Sequence, residues 1–452
     1  MLQVQTDRKV HLISLGCARN RADSEVMLGT LALEDWRVTD QPADADAIIV
    51  NTCGFIDPAK EESINTILEM ASYKAENPEL KLVVAGCLTQ RYKGQLAAGL
   101  PEVDLFVGTD QFPEVGAFLR ENLPQGTVRA KRTHYLYDGS LPKKNTLSNW
   151  SAYVKVAEGC QHNCAFCIIP AIRGELRSRP IPSVVKEVTE LVRSGVKEIN
   201  LIAQDLAAYG RDWGSSDLLA LLKALVEIED LRWIRLLYVY PENIDQEFIE
   251  FFAREEKLVK YLDIPVQHAS DTLLKSMNRD VTAQQIRSTV NGLRQAIPNI
   301  AIRTSVMVGF PGETENDFEA LKSFVEEMKF DHLGCFSYSK EEGTVAGRMS
   351  GQIGEAVKTR RQEEVMLLQK EVSKRNLQKY VGTVQEVLVS GVSTETDLLM
   401  EGRLSTQAPE VDGIVYINDG PYEVGAIQSV KITEAHDYDL VGHVLDQEFF
   451  DS

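Results

Sequence analysis

Residues 152–167 read AYVKVAEGCQHNCAFC and decide the fold of the middle of the chain. An apolar, β-prone run is followed by a loop that carries Cys160, Cys164 and Cys167 in a CxxxCxxC pattern. Three thiolates in so short a loop can converge on one soft metal centre. Sites in parallel α/β proteins form at the carboxyl ends of strands, which is where this loop lies. The stretch therefore predicts a parallel α/β unit with a thiolate-bound metal at the end of its first strand.

The cysteine pattern favours an iron–sulfur cluster over zinc. A structural zinc site needs a fourth ligand at short range. His162 is the nearest candidate, but it lies inside the loop, an awkward position from which to reach the same ion. Three cysteines on a 4Fe–4S cluster leave one iron without a protein ligand, and that iron can bind a substrate or a cofactor. A structural zinc knuckle stays open as the alternative.

Strand-like and helix-like segments alternate from about residue 149 to about residue 340. The apolar run EINLIAQD at 198–205, for example, follows IPSVVKEVTELVRSGV at 181–196, which has helical periodicity. Six βα units of this kind predict a partial parallel barrel. One amphipathic helix is predicted at 355–378. We place the barrel core at residues 146–376.

A second set of cysteines is spread over the first 120 residues, where short apolar runs alternate with helix-like segments. Cys17, Cys53 and Cys87 each end one of these runs, in HLISLGC, AIIVNTC and LVVAGC. If the runs are neighbouring parallel strands, their carboxyl ends share one edge of a sheet and the thiolates meet there. A free cysteine is often only a small buried hydrophobe, which is the alternative. We predict an α/β parallel-sheet domain at 8–119 that holds a second cluster with one open iron.

Two further segments differ in character. Residues 121–148 contain NLPQG, RAKR and DGSLPKKN, which predict a linker around one β-hairpin. Residues 379–447 contain short strand-like runs broken by Gly, Pro and Asp, which predict a small antiparallel β-barrel of the OB type. Cys335 stands alone in a predicted strand and is expected in the core. The fold class is therefore α/β, with a parallel-sheet domain, a partial (βα)6 barrel and a final small barrel.

The composition is that of an ordinary globular protein. The chain has 452 residues, of which 44% are hydrophobic and 25% are charged. No stretch approaches the roughly 18 consecutive apolar residues of a membrane span, and the first ten residues lack the apolar region of a signal peptide. Seven cysteines are an odd number and too few for a disulfide scaffold. These features predict a cytoplasmic protein without membrane association.

The CxxxCxxC loop resembles that of the radical S-adenosylmethionine (SAM) superfamily, which this motif identifies. The resemblance implies that the open iron chelates the methionine part of SAM, and that an electron from the cluster cleaves SAM to a 5′-deoxyadenosyl radical. It also implies that Phe166 lies near the adenine, and that Gln204, Asp205 and the segment from Arg303 to Gly309 cradle the rest of SAM. For Gln204, Asp205 and Arg303 a structural hydrogen-bonding role is the alternative.

Over about residues 8–447 the chain resembles the methylthiotransferase family, whose members combine an N-terminal cluster domain, a radical SAM core and a C-terminal TRAM domain. The resemblance implies an enzyme that attaches a methylthio group either to a modified adenosine of transfer RNA or to a protein. It implies two 4Fe–4S clusters, with the six cysteines as their catalytic ligands. One SAM would supply the methyl group and a second the radical.

Internal motifs favour the protein-modifying branch of this family. CIIPAIRGELRSRP, YLDIPVQHASDTLLKSMNR, RTSVMVGFPGETENDF and YSKEEGT resemble the members that act on the ribosomal small-subunit protein S-twelve. The tRNA branch usually has a serine-rich sequence where this chain has QHA at 267–269, and arginine-proline-glycine where it has EEG at 341–343. The resemblance implies that the modified atom is the β-carbon of one aspartate. Modification of a tRNA adenosine stays the alternative.

The charge of the chain is unevenly distributed. Residues 379–452 hold 3 basic and 14 acidic residues, so −11 of the total −19 falls in this segment. A domain that grips RNA should be basic. The segment therefore disfavours direct tRNA binding and suits docking of a basic ribosomal protein, with a merely solubilising acidic surface as the alternative. An external reductant and a sulfur donor complete the expected partners.

A protein that only carries electrons or sulfur on its clusters is the competing hypothesis from another functional class. Two clusters need far fewer residues than the barrel-sized core predicted here. Formation of 5′-deoxyadenosine from SAM would distinguish an enzyme from such a carrier.

Overall fold

The computed structural model describes residues 8–214, 217–241 and 244–445. Within them the chain forms three successive units: a six-stranded parallel sheet, a second six-stranded parallel sheet and a small closed barrel. No helix in these ranges is long and apolar enough to span a membrane. The first seven residues, on which the targeting prediction partly rests, and the acidic residues beyond 445 lie outside the described part of the chain.

The first unit is an α/β domain built on one parallel sheet. Ile48 and Ile49 point into separate hydrophobic clusters on the two faces of this sheet, as expected where helices cover both sides. Its elements are, in chain order, β1 (Arg8–Ser14), α1 (Ala18–Ala32), β2 (Trp36–Val38), β3 (Ala47–Thr52), α2 (Asp57–Glu76), β4 (Lys81–Gly86), α3 (Cys87–Tyr92), α4 (Gly94–Gly99), β5 (Leu105–Val107), α5 (Val115–Arg120) and β6 (Thr127–Arg129). The strands lie in the order β2-β1-β3-β4-β5-β6.

The hairpin predicted for residues 121–148 is wrong. The strand of this segment, β6, joins the edge of the first sheet, where Thr127 pairs in parallel with Leu105. This pairing satisfies backbone groups of β5 that would otherwise form an open edge. Arg132, in the basic stretch, donates hydrogen bonds to the carbonyl oxygens of Ala171 at 2.6 Å and Ile172 at 3.0 Å. The linker is therefore tied to both of the units that it connects.

The second unit contains the predicted six strands with their crossover helices. Its elements are β7 (Ser151–Lys155), β8 (Ala157–Glu158), α6 (Ile169–Arg173), β9 (Arg177–Ser178), α7 (Ile181–Arg193), β10 (Glu198–Ile202), α8 (Leu218–Val226), β11 (Trp233–Leu236), α9 (Gln246–Arg254), β12 (Leu258–Asp263), α10 (Asp271–Ser276), α11 (Ala283–Ala296), β13 (Ala301–Val308), α12 (Glu315–Met328), β14 (His332–Ser337) and α13 (Glu355–Leu377). The order is β14-β13-β12-β11-β10-β7, all parallel, while β8 and β9 form a small antiparallel ribbon.

Alternate residues of these strands face different neighbours. Val154 of β7 packs in the cluster formed with the surrounding helices, and so does the predicted core residue Cys335 of β14, which is 5% exposed. Tyr153 of β7 points the other way, into a cluster that also contains Ala22 of α1 and Leu388 of the third unit. The first and third units therefore both pack on the inner face of the second sheet.

The third unit is a closed barrel of five strands. These are β15 (Val384–Val392), β16 (Met400–Leu404), β17 (Val415–Ile417), β18 (Ile427–Ala435) and β19 (Leu440–Val444), in the order β15-β16-β17-β19-β18. Neighbouring strands are antiparallel except β17 and β19, which run parallel. The predicted fold class is confirmed: an α/β chain with two parallel sheets and a small terminal barrel.

Buried charges join the third unit to the second. Arg403 of β16 donates to the carboxylate of Glu198, which begins β10, at 2.6 Å. Asp412 accepts from Tyr261 at 2.8 Å and from Arg303 at 2.8 Å. Because Glu198 is the first residue of its strand, the third unit lies toward the amino-terminal ends of the parallel strands.

Candidate functional site

The CxxxCxxC loop follows β8 and is held by backbone hydrogen bonds at both ends. The Cys160 N–H donates to the carbonyl oxygen of Gly174 at 3.0 Å, and the Ala165 N–H donates to that of Met277 at 2.9 Å. Two amides point at sulfur: His162 N–H donates to Cys160 Sγ and Ile169 N–H to Cys167 Sγ, each at 3.4 Å. Amide hydrogen bonds of this kind stabilise metal-bound thiolates.

The protonation of these thiols reflects their environment. Burial raises the pKa of Cys160 to about 11 and that of Cys167 to about 12. A buried anion is costly unless a positive partner compensates it. Binding of a metal centre would release the protons and supply that partner.

The second cysteine set lies on one edge of the first sheet, as the sequence predicts. Cys53 and Cys87 directly follow β3 and β4, and Cys17 lies three residues after the end of β1; these three strands are adjacent in the sheet. Gly16 has a φ of +88°, and a Cβ at this position would lie 2.8 Å from Cys53 Cβ. Gly86 has a φ of +96°. Glycine is required at both turns, because a side chain would be strained there. At Gly16 it would also crowd Cys53, and at Gly86 it would collide with Asn51 and Thr52.

Cations near the second set act differently on its three thiols. Burial would raise the pKa of Cys17, but the charges of Arg19 and Arg173 outweigh burial and lower it. Burial raises the pKa of Cys53 to about 12, and it also raises the pKa of Cys87. Cys17 is therefore the thiol of this set whose surroundings most favour the thiolate form.

The donor set of both sites fits a 4Fe–4S cluster. All seven cysteines are free thiols, and each site contributes three of them. Among the described residues, no three His, Cys, Asp or Glu side chains are arranged to hold a single metal ion. The fit therefore rests on the chemistry of the donors, namely three thiols at each site, with N–H groups directed at sulfurs. Thiolates with hydrogen-bonded sulfurs are the ligands that iron–sulfur clusters use.

A buried arginine connects the two cysteine sets, and the sequence analysis missed it. Arg173 ends α6, the helix that begins two residues after Cys167. Its Nη2 donates to Asn20 Oδ1 at 2.7 Å and lies 3.4 Å from Cys87 Sγ. Its Nη1 contacts Asp23 at 2.9 Å and Glu158 at 3.1 Å. The one available signal was the position of an arginine shortly after the CxxxCxxC motif.

Of the residues predicted to contact SAM, Phe166 lies in the CxxxCxxC loop and Gln204 lies two residues after the end of β10. Phe166 is half-buried against a cluster that includes Phe310 and Tyr338. Gln204 is also half-buried and directly precedes Asp205. Neither position conflicts with the expected contact.

Asp205 is 2% exposed, and its carboxylate forms hydrogen bonds with other groups of the protein. It accepts hydrogen bonds from the backbone N–H groups of Ala207 at 3.0 Å and Tyr240 at 3.3 Å. Its Oδ2 is 2.8 Å from His162 Nε2. The His162 ring in turn stacks on Tyr240, with ring centroids 4.3 Å apart. Asp205 thus fixes the orientation of a residue inside the cysteine loop.

Arg303 lies on the inner face of the second sheet, near the first residues of β13. Besides Asp412 it faces Asp263, with Nε 3.8 Å from the carboxylate.

The hydrogen bonds of His268 are structural. It is fully buried, and its ring bonds to Glu313 at 3.2 Å and accepts from the Ser270 N–H at 3.0 Å.

A cavity of about 580 Å³ lies where the three units meet. Its wall includes Cys17 and Cys53 of the first unit, Asp263 and Arg303 of the second, and Glu410 of the third. Cys17 and Cys53 of the second set therefore face a space large enough for a side chain of another molecule.

Family models match the three units separately. The uncharacterized protein family UPF0004 matches residues 9–108, the radical SAM superfamily matches 154–325, and the TRAM domain matches 381–445. A solved structure of the radical SAM methyltransferase TsrM from Kitasatospora setae shares the fold, with a TM-score of 0.53, 16% identity and 76% of this chain and 77% of that one covered. The fold and the cysteine loop thus define a radical SAM enzyme.

Curated relatives match almost the whole chain. Ribosomal protein uS12 methylthiotransferase RimO of Trichlorobacter lovleyi is 48% identical over 97% of this chain and 99% of its own. The enzyme of the same name from Geobacter sulfurreducens is 48% identical, over 97% and 98%, and that from Myxococcus xanthus 46%, over 99% and 94%. The chain belongs to the family of ribosomal protein uS12 methylthiotransferases. The predicted family, enzyme class and cofactors, SAM and two 4Fe–4S clusters, are confirmed.

Proposed function

We propose that this chain methylthiolates the β-carbon of an aspartate in ribosomal protein uS12, converting C–H to C–SCH₃, with SAM as radical source and methyl donor. The observation that carries the proposal is the pair of three-cysteine sites, one at a barrel strand end and one open to the cavity, in a chain 48% identical to a uS12 methylthiotransferase. Bound clusters and SAM would supply hydrogen abstraction at an unactivated carbon and delivery of sulfur to it.

We assign the ligands of the two clusters to the two cysteine sets. The set in the CxxxCxxC loop would hold the cluster that binds SAM, because Phe166 lies within this loop and His162 of the loop contacts Asp205, the residue after Gln204. The set on the edge of the first sheet would hold the auxiliary cluster. The ligands are Cys160, Cys164 and Cys167 for the first, and Cys17, Cys53 and Cys87 for the second.

The remaining candidate residues divide into two groups. Phe166 and Gln204 stay as proposed contacts of SAM. For Asp205 and Arg303 the contacts support the structural alternative: Asp205 holds the cysteine loop through His162, and Arg303 pairs with Asp412 of the third unit. We therefore propose that these two residues position the site instead of binding SAM directly.

We propose that the acidic third unit docks uS12. Arg403 and Asp412 form ion pairs with residues of the second unit, so neither adds its charge to the outer surface of the third unit. The exposed acidic residues of this unit are Glu386, Glu395, Asp397, Asp419, Glu423 and Glu434, together with Glu410, which pairs with Arg21 of the first unit. Such a surface attracts a basic protein and repels a phosphate backbone. This supports uS12 as the partner over direct binding of tRNA.

Other expectations remain proposals. We keep the domain boundaries 8–119, 146–376 and 379–447, and a cytoplasmic location where the ribosomal substrate is made. We also propose an external reductant and a sulfur donor, since reductive cleavage of SAM consumes an electron and the methylthio group brings a new sulfur atom.

Mass spectrometry of uS12 tests the proposal. In a strain that lacks this chain, we expect uS12 without the methylthio mass, and we expect the mass to return with the wild-type gene. If loss of this chain leaves the mass of uS12 unchanged but alters the nucleosides of tRNA, the proposal is overturned in favour of the tRNA branch. Incubation of the reduced protein with SAM should also yield 5′-deoxyadenosine.

A further inference from the structure

Arg173 occupies an unusual position for a charged residue. Its side chain is 1% exposed, and its Nη2 lies 3.4 Å from the sulfur of Cys87 in the second cysteine set. The helix that it ends starts two residues after Cys167. The residue after it, Gly174, accepts the hydrogen bond of the Cys160 N–H. A movement of Arg173 would therefore displace both ends of the CxxxCxxC loop and change the surroundings of Cys87.

The sulfur of Cys87 has two polar neighbours with different roles. Asn20 Oδ1 lies 3.5 Å from it and can only accept a hydrogen bond, whereas Arg173 Nη2 lies 3.4 Å from it and can only donate. An iron-bound sulfur carries no proton, so Asn20 then loses the thiol as a donor and keeps the hydrogen bond from Arg173. Arg173 is the neighbour whose hydrogen bond persists in the metal-bound state.

The guanidinium is held firmly in this orientation. Its Nη1 forms ion pairs with Asp23 and Glu158, and Lys155 contacts both of these carboxylates. Asn20, which receives its Nη2, is itself fixed by donating to the carbonyl oxygens of Leu15 and Thr52. A planar, multiply bonded donor of this kind is not equivalent to a lysine.

We propose that Arg173 donates a hydrogen bond to the Cys87 sulfur of the auxiliary cluster and thereby raises the reduction potential of that cluster. A buried positive charge favours the state with one more electron, and hydrogen bonds to ligand sulfurs act in the same direction. The inference rests on the proposed function, because it takes Cys17, Cys53 and Cys87 as the cluster ligands. Arg173 is a positioning residue, since it reaches the iron only through Cys87.

The test uses the full chain with Cys160, Cys164 and Cys167 replaced by Ala, so that the auxiliary cluster is the only one present. Its midpoint potential is measured by redox titration followed by electron paramagnetic resonance, together with iron and sulfide content. We expect Arg173→Gln to shift the potential to more negative values. Arg173→Lys keeps a charge but loses the shape of the donor, and should shift the potential less. Glu158→Gln removes a nearby negative charge and should not lower it.

Arg179→Gln is the matched control. Arg179 is also buried, with its side chain 0% exposed, but it pairs with Glu187 at 2.6 Å, so its loss should leave the potential unchanged. An unchanged potential in Arg173→Gln with full iron content, or an equal shift in Arg179→Gln, would overturn the inference. If the triple-alanine protein with Arg173 intact holds no iron or sulfide, the auxiliary-cluster assignment itself is wrong, and the inference is overturned with it.

Discussion

Arg403 of the C-terminal barrel donates to the carboxylate of Glu198 at 2.6 Å across 205 positions of sequence. Arg235 contacts the other carboxylate oxygen at 2.9 Å. All three side chains are buried, so the two units are joined by charges that water does not screen.

Replacing Arg403 by Ala should destabilise the protein by about 3 kcal/mol, because a buried carboxylate loses one of its two cations. The measurement is the shift of the urea unfolding transition. Lys370→Ala is the control, since its pair with Asp437 is at the surface, and it should change stability by less than about 0.5 kcal/mol. Equal effects of the two substitutions would contradict the prediction.

The same carboxylate should make stability depend on pH in the acid range. Burial would raise the pKa of Glu198, but Arg403 and Arg235 outweigh burial and lower it to about 2. The stabilisation is thus fully present above the ordinary glutamate pKa near 4.5 and is lost as the pH falls toward 2. Glu198→Gln should flatten this part of the profile of unfolding free energy against pH. A profile of the variant that still falls as steeply would show that other groups are responsible.

The two cysteine sets should respond differently to removal. We expect Cys160→Ala, Cys164→Ala or Cys167→Ala to abolish formation of 5′-deoxyadenosine from SAM. We expect Cys17→Ala, Cys53→Ala or Cys87→Ala to retain part of this cleavage but to stop methylthiolation. Wild-type protein prepared without oxygen should hold about eight irons per chain. Methylthio product formed at the wild-type rate by the second group would exclude an auxiliary cluster at those cysteines.

Gly16→Ala should reduce the iron content by about half. The new Cβ would lie 2.8 Å from Cys53 Cβ and 3.2 Å from its Sγ, at a backbone φ of +88°, so one cluster cannot form while the other is untouched. The measurement is iron and sulfide per chain after anaerobic reconstitution. Gly99→Ala, where no atom lies within 4 Å of the added Cβ, should bind iron like the wild type.

Reversing the charge of Glu386, Asp397 and Glu423 to lysine should slow association with uS12 by about tenfold at low salt, because steering depends on opposite charge. The difference should shrink as ionic strength rises. Surface plasmon resonance with immobilised uS12 measures both. The same reversal at Glu247, Glu250 and Glu326, which are exposed on the second unit, is the control. Equal slowing by both triple variants would exclude a specific role of the third unit.

The fold and both cysteine sets could be predicted from the sequence because each follows from a local pattern. Cys17, Cys53 and Cys87 end apolar runs, and parallel pairing then brings strand ends to one edge. The edge strand β6 could not be predicted in this way, since its three residues have no distinctive pattern and are fixed only by pairing with β5.

Arg173 and Arg303 show the other limit of sequence reasoning. A charged residue in an apolar context has no visible partner in the sequence, and its role depends on groups that lie far away along the chain. Arg173 contacts Cys87, which precedes it by 86 positions, and Arg303 contacts Asp412, which follows it by 109 positions. Such pairs form only when complete units have packed against one another.

Part of the cavity wall is made late in synthesis, because it belongs to the third unit. Arg21, in the first helix, contacts Glu410 at 2.5 Å, and Glu410 and Val411 form part of the cavity wall. All six proposed cluster ligands precede residue 168, so they leave the ribosome long before this wall exists. A chain that ends before residue 410 would possess every cysteine but an open cavity. Assembly of the proposed metal sites can therefore precede closure of the cavity that Cys17 and Cys53 line.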